Sequence, residues 1–107
     1  MPYGMMRHMP RALLLFHYKA RQGELSVEMV LWQLPTQTAD RPHGIKYRFH
    51  LGRNGKNLLR YDNETGKGDH RHIGAEESEE AYSFSTMERL LQDFRRECEQ
   101  LGWRWDK

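Results

Sequence analysis

The chain has 107 residues, of which 37% are hydrophobic, 11% aromatic and 30% charged, with a formal net charge of +2. That length predicts a single domain over residues 1–107, and the ring content is too high for a solvated tail. The longest apolar run, residues 12–16, is far shorter than the roughly 20 residues a membrane span needs, and the single cysteine, Cys98, excludes an intramolecular disulfide or a Cys-rich zinc site.

Charge is unevenly spread. Residues 1–40 carry a net +1, residues 41–74 a net +5 and residues 75–107 a net −4, and the basic middle third holds His43, His50, His70 and His72. A block of this kind attracts polyanions, because each phosphate neutralised by Lys or Arg releases counterions. A solvated sheet face balanced by an acidic helix is the alternative.

In chain order, residues 1–11 read as a flexible N-terminal arm. Its positive charge is not followed by an apolar core of the kind a secretory signal carries, so a cytoplasmic protein that does not meet the membrane is expected. Residues 12–18 (ALLLFHY) predict a short central strand, and residues 19–23 a polar connection ending in Gly23. Residues 24–34 open with Leu25, Val27 and Met29 alternating against Ser26 and Glu28. They then run into Val30, Leu31 and Trp32, which predicts a bulge or a strand buried on both faces. Pro35 ends that strand.

The clearest pattern follows. Ile45, Tyr47, Phe49 and Leu51 alternate with Lys46, Arg48 and His50, the Asn54-Gly55 pair supplies a turn, and Leu59 and Tyr61 alternate with Leu58, Arg60 and Asp62. This predicts an antiparallel hairpin over residues 45–62. A fifth strand is open at either 81–84 or 72–74. Ser85 with Glu88 three residues on predicts an N-cap, and Met87, Leu90, Leu91, Phe94, Cys98 and Leu101 give one apolar helical stripe ending at Gly102. The expected fold is therefore α+β: a two-layer sandwich in which an antiparallel sheet of four or five strands carries a C-terminal helix, Thr86–Leu101, on one face.

If Tyr47, Phe49, Leu59 and Tyr61 point inward, Lys46, Arg48, His50 and Arg60 converge outward. Arginines there can clamp a phosphate through paired hydrogen bonds, and a histidine can move a proton near neutral pH. His70 and His72, two residues apart in an extended segment, point the same way. Asp69, His50 or Asp62 could join them, but no second ligand pair at metal spacing appears, and neither a metal nor another cofactor is expected. Metal-free RNA cleavage needs a base, an acid and cations on the phosphate. His50 with His70 or His72 fits the first two needs, and Arg48, Arg60 and Arg71 the third. Cys98 on the apolar stripe reads as core, and Trp103 and Trp105 as a cap on it or as a partner patch. The acidic stretch Glu76, Glu77, Glu79 and Glu80 reads as a solvated loop or as a cover over the basic face.

The ordered run Lys46-Tyr47-Arg48-Phe49-His50, then Leu58-Leu59-Arg60-Tyr61-Asp62-Asn63, then His70-Arg71-His72-Ile73-Gly74 resembles the TumE-like toxins of bacterial and archaeal toxin–antitoxin pairs, across roughly residues 12–74. The segment from Glu64 to Asp69 departs from the Pro- and His-rich stretch expected of that family. The resemblance implies a toxin restrained by a co-expressed antitoxin, often a small helix-turn-helix protein, with nuclease action as one mechanism. It carries over Arg48, His50, Arg60, Asp62, Asn63, His70 and His72 as a candidate site, Asp62 and Asn63 in supporting roles; Lys46 and Arg71 join it as further phosphate contacts. Two readings stay open: a ribonuclease toxin, or a non-catalytic module that grips nucleic acid or protein with the basic face. A homodimer could form through an exposed strand edge at residues 12–18 or 57–62.

Overall fold

A computed structural model describes residues 11–64 and 67–105; all but Arg11 of the expected N-terminal arm lies outside them. Among the described residues the chain makes six strands and one helix: β1 (Leu13–Gln22), β2 (Leu25–Gln33), β3 (Ile45–Arg53), β4 (Lys56–Asp62), β5 (His70–Ile73), β6 (Ser78–Ala81) and α1 (Met87–Gln100). The strands follow one another in space as they do in sequence, in the order β1-β2-β3-β4-β5-β6, and every neighbouring pair is antiparallel. The α+β architecture is as expected, but the sheet has six strands rather than four or five. Of the two segments expected as the fifth strand, 72–74 falls in β5, which covers residues 72–73, whereas only residue 81 of 81–84 is strand, as the last residue of β6.

The β3–β4 hairpin forms because the alternation lets one face be wholly apolar. Tyr47, Phe49, Leu51, Leu59 and Tyr61 are buried under the helix, at about 1.5–3 kcal/mol for each large side chain removed from water. Asn54 (φ 51°) and Gly55 (φ 79°) occupy the left-handed region that a two-residue hairpin turn requires, which Asn and Gly enter at least cost. β2 alternates buried and half-buried residues without interruption, so the bulge expected there lies elsewhere. One register shift falls in β1 between Leu14 and Phe16, another on β4 where Leu51 and Gly52 face Leu59 and Asn57.

β1 differs from its expected form in length and place. The polar residues 19–22, read as a connection, continue the strand to Gln22. Among the described residues β1 pairs only with β2, so it is an edge rather than a central strand, and Leu13 and Leu14 are 60% and 53% exposed. Residues 57–62, by contrast, pair on both sides and offer no edge.

The helix packs Leu90, Phe94 and Cys98 onto the sheet, while Met87 and Leu101, expected in the stripe, flank it partly exposed. Its N-cap is Thr86 rather than Ser85: the Thr86 hydroxyl accepts from the Arg89 N–H at 3.0 Å, so the Ser85–Glu88 capping box does not form. At the other end the Gly102 N–H donates to Glu99 and the Trp103 N–H to Cys98, with Gly102 at φ 107°, a Schellman termination. That turn drives Trp103 into the core, where Trp105 meets it edge-on and also packs on Tyr18 and Arg95. The tryptophans cap the core. Burial pushes the Cys98 thiol well above its ordinary range, as befits a core residue. No helix among the described residues is long and apolar enough to cross a membrane.

Candidate functional site on the open sheet face

The helix covers one face of the sheet and leaves the other open. Pleating sends alternate residues to that open face, and antiparallel pairing sets them in transverse rows. One row crosses all six strands: Lys19, Glu28, His50, Arg60, His72 and Glu79 are successive cross-strand partners. The next row runs His17, Val30, Arg48, Asp62, His70 and Ala81. Lys46 stands two residues along β3 from Arg48. The structure thus brings Lys46, Arg48, His50, Arg60, Asp62, His70 and His72 onto one surface.

Four of them, Arg60, Asp62, His70 and His72, form a connected polar network with Glu77 and Glu79. Arg60 Nε donates to Asp62 at 3.0 Å, and its Nη1 donates to Glu77. His72 Nε2 lies 3.5 Å from Asp62 and 3.7 Å from Glu79. His70 donates from Nδ1 to the Gly68 carbonyl at 2.9 Å, turning Nε2 toward Glu79 at 3.4 Å. The His70 and His72 ring centroids are 6.4 Å apart. Of the two readings of the acidic stretch, covering the basic face is what Glu77 and Glu79 do. The hydrogen bond from Arg60 and its charge hold the Glu77 carboxyl below the usual range. His50 is half-buried; burial first, then the charges of Arg48 and Arg60, lower its pKa from the ordinary 6.5. These effects favour the neutral imidazole, the form able to accept a proton.

Three expected participants stand elsewhere. Arg71 lies on the helix face, because in an extended segment it must point away from His70 and His72. There it donates to Glu97 (Nε, 2.9 Å) and Glu80 (Nη1, 2.9 Å) and lies over the Tyr61 ring. Asn63 is fully buried and braces the end of the hairpin: its side chain donates to the Ile45 carbonyl and accepts from the Tyr47 N–H, while its carbonyl accepts from Arg41. Asp69, offered as a mate for His70 and His72, turns to His43 (3.1 Å) and the Tyr47 hydroxyl (3.0 Å) instead. Arg71→Ala is accordingly expected to cost about 1.5–3 kcal/mol in urea denaturation, the scale of hydrogen bonds to charged groups, with polyanion affinity unchanged. Weakened polyanion binding at full stability would contradict this placement.

Sequence reasoning missed the β1–β2 side of the face. Lys19, Arg21, Ser26, Glu28 and His50 line a cavity of about 250 Å³. His17 and Glu28 pair at 3.2 Å. Alternation of His17, Lys19 and Arg21 is the available signal, and the polar character of residues 19–23 hides it by resembling a connection. Beside His50, Gly52 has no side chain; a methyl group there would come within 3.1 Å of both the His50 ring and the Lys56 carbonyl, so glycine leaves the imidazole its resting place. Among the described residues Lys19, Arg21, Lys46 and Arg48 make no ion pair. No three His, Cys, Asp or Glu side chains among those residues converge as a metal ion would require.

A neutral imidazole, two further histidines beside carboxylates and a set of uncommitted cations together define a face able to hold a polyanion and transfer protons. The chain matches the family model described as Toxin TumE over residues 12–102, most of its length, and belongs to that family. It is thus the toxin component of a toxin–antitoxin system, with an antitoxin as its partner. No curated protein and no solved structure matches it significantly.

Proposed function

We propose that this toxin acts on cytoplasmic RNA by metal-independent cleavage on the open sheet face. The observation that carries the reading is the row His50–Arg60–His72, with a neutral histidine and a carboxylate-flanked histidine on either side of an arginine. His50 takes the 2′-hydroxyl proton. The 2′-oxygen attacks phosphorus, the bond to the 5′-oxygen breaks, and His72 or His70 protonates the leaving oxygen. A 2′,3′-cyclic phosphate and a 5′-hydroxyl result. In-line displacement needs base and acid on opposite sides of the phosphate; strands two apart set their backbones about 10 Å from one another, with Arg60 between them. Lys46 and Arg48 hold neighbouring phosphates, Asp62 orients Arg60 and His72, and the exposed Glu77 carboxylate stands where a phosphate oxygen would displace it from Arg60.

A second reading has one observation in its favour: Arg60 is already neutralised by Asp62 and Glu77, while the uncommitted cations would grip nucleic acid without chemistry. On either reading the antitoxin is a small helix-turn-helix protein, and the outer edge of β1, unpaired among the described residues, is where a second copy of the chain would pair.

The test is induction of the wild type and of a His70→Ala/His72→Ala chain in bacteria, with folding of both checked. Growth arrest and shortened RNA are expected from the wild type alone. Equal arrest by both chains without RNA cutting would favour the binding module.

A further inference from the structure

Trp32 has no role in the fold comparable to that of Trp103 or Trp105. It points to the open face, with Leu14 and Lys46 as cross-strand partners, and is half-buried. Among the described residues its indole makes no ring contact and no hydrogen bond. Around it lie the exposed Leu14, the half-buried Val30 and the exposed, unpaired Lys46 and Arg48. An apolar ring set among uncommitted cations is the arrangement by which proteins take an unpaired base and its phosphates together.

Spacing supports the same ligand. Lys46, Arg48 and His50 are two residues apart on β3 and so follow one another at about 6.6–6.8 Å, comparable to the step between phosphates of an extended single strand. Lys46, opposite Trp32, is four residues from His50, or about 13 Å along the strand, which is two such steps. A duplex keeps its base faces stacked inside and offers the indole nothing; an extended single strand offers one.

Building on the RNA reading above, we infer that Trp32 is a base-stacking platform for single-stranded RNA. It holds an unpaired base about two nucleotides from the phosphate presented to His50, with Lys46 and Arg48 on the intervening phosphates.

The experiment measures affinity for an end-labelled ten-nucleotide oligouridylate and for a duplex RNA of the same length by fluorescence anisotropy. It uses the full chain carrying His50→Ala to prevent cutting, with folding of each variant checked by thermal melting. Trp32→Ala is expected to weaken single-strand binding about 5- to 150-fold, the range for losing one stacked base, and to leave duplex binding unchanged. Trp32→Phe, which keeps a ring, should restore most of the affinity, and Trp32→Leu should not. The salt slope should hold in Trp32→Ala but fall by about one in Lys46→Ala. Unchanged single-strand affinity in Trp32→Ala, or equal loss for duplex, would overturn the platform while leaving the RNA reading intact. Trp32 variants that bind RNA normally but escape the antitoxin would overturn it in favour of a protein contact. No RNA binding by the Trp32-containing chain would remove the RNA reading and the platform together.

Discussion

A His50→Ala chain is expected to cut single-stranded RNA about 10²–10⁴-fold more slowly, the usual worth of a positioned proton-transfer group, with RNA affinity nearly unchanged. The imidazole is neutral and half-buried, so its removal takes away a base without taking away a cation. The pH profile follows from the direction of its shift. A base acts when deprotonated, and burial, then Arg48 and Arg60, lower the His50 pKa, so the acid limb of kcat/KM should lie below pH 6.5. Arg48→Gln removes one of the charges that disfavour the imidazolium and should move that limb upward. A limb above pH 6.5 in the wild type, or cleavage that survives His50→Ala, would remove this residue from the chemistry.

Phe94→Ala is expected to cost about 3–5 kcal/mol in urea denaturation, a large share of the roughly 5–15 kcal/mol by which domains are stable. Phe94 is fully buried at the centre of the helix, with Phe49 at 5.4 Å and Tyr61 edge-on at 5.5 Å between ring centroids. Truncation would leave a cavity between helix and sheet under the strand that carries His50. Toxicity and stability should therefore be lost together, whereas His50→Ala loses toxicity alone. A cost below about 1 kcal/mol would mean that the helix is not the sheet's second layer.

The β3–β4 hairpin and the helix were legible because each carries two independent signals. The hairpin has its alternation and Asn54-Gly55; the helix has its apolar stripe and Gly102. The convergence of Lys46, Arg48, His50 and Arg60 followed from the hairpin. What was hard to read has physical causes. β1 is rich in leucine but lies at an edge, since strand order is a property of the whole meander and not of any one segment. β6, Ser78–Ala81, has almost no apolar content and is held by backbone pairing with β5 and by Glu79 and Glu80 meeting His70, His72 and Arg71. The true N-cap, Thr86, lies one residue beyond an equally plausible serine. Arg71 is instructive: in the extended run His70-Arg71-His72 it does not share a face with both histidines, and pleating alone assigns it to the helix side.

If the open face cuts RNA through its 2′-hydroxyl, the products carry the signature of that attack. Purified toxin is incubated in EDTA with a single-stranded RNA and with its all-deoxy counterpart. Cutting of the RNA alone is expected, leaving a 2′,3′-cyclic phosphate and a 5′-hydroxyl. Intact RNA after incubation with a well-folded chain, or equal cutting of the deoxy strand, would contradict it.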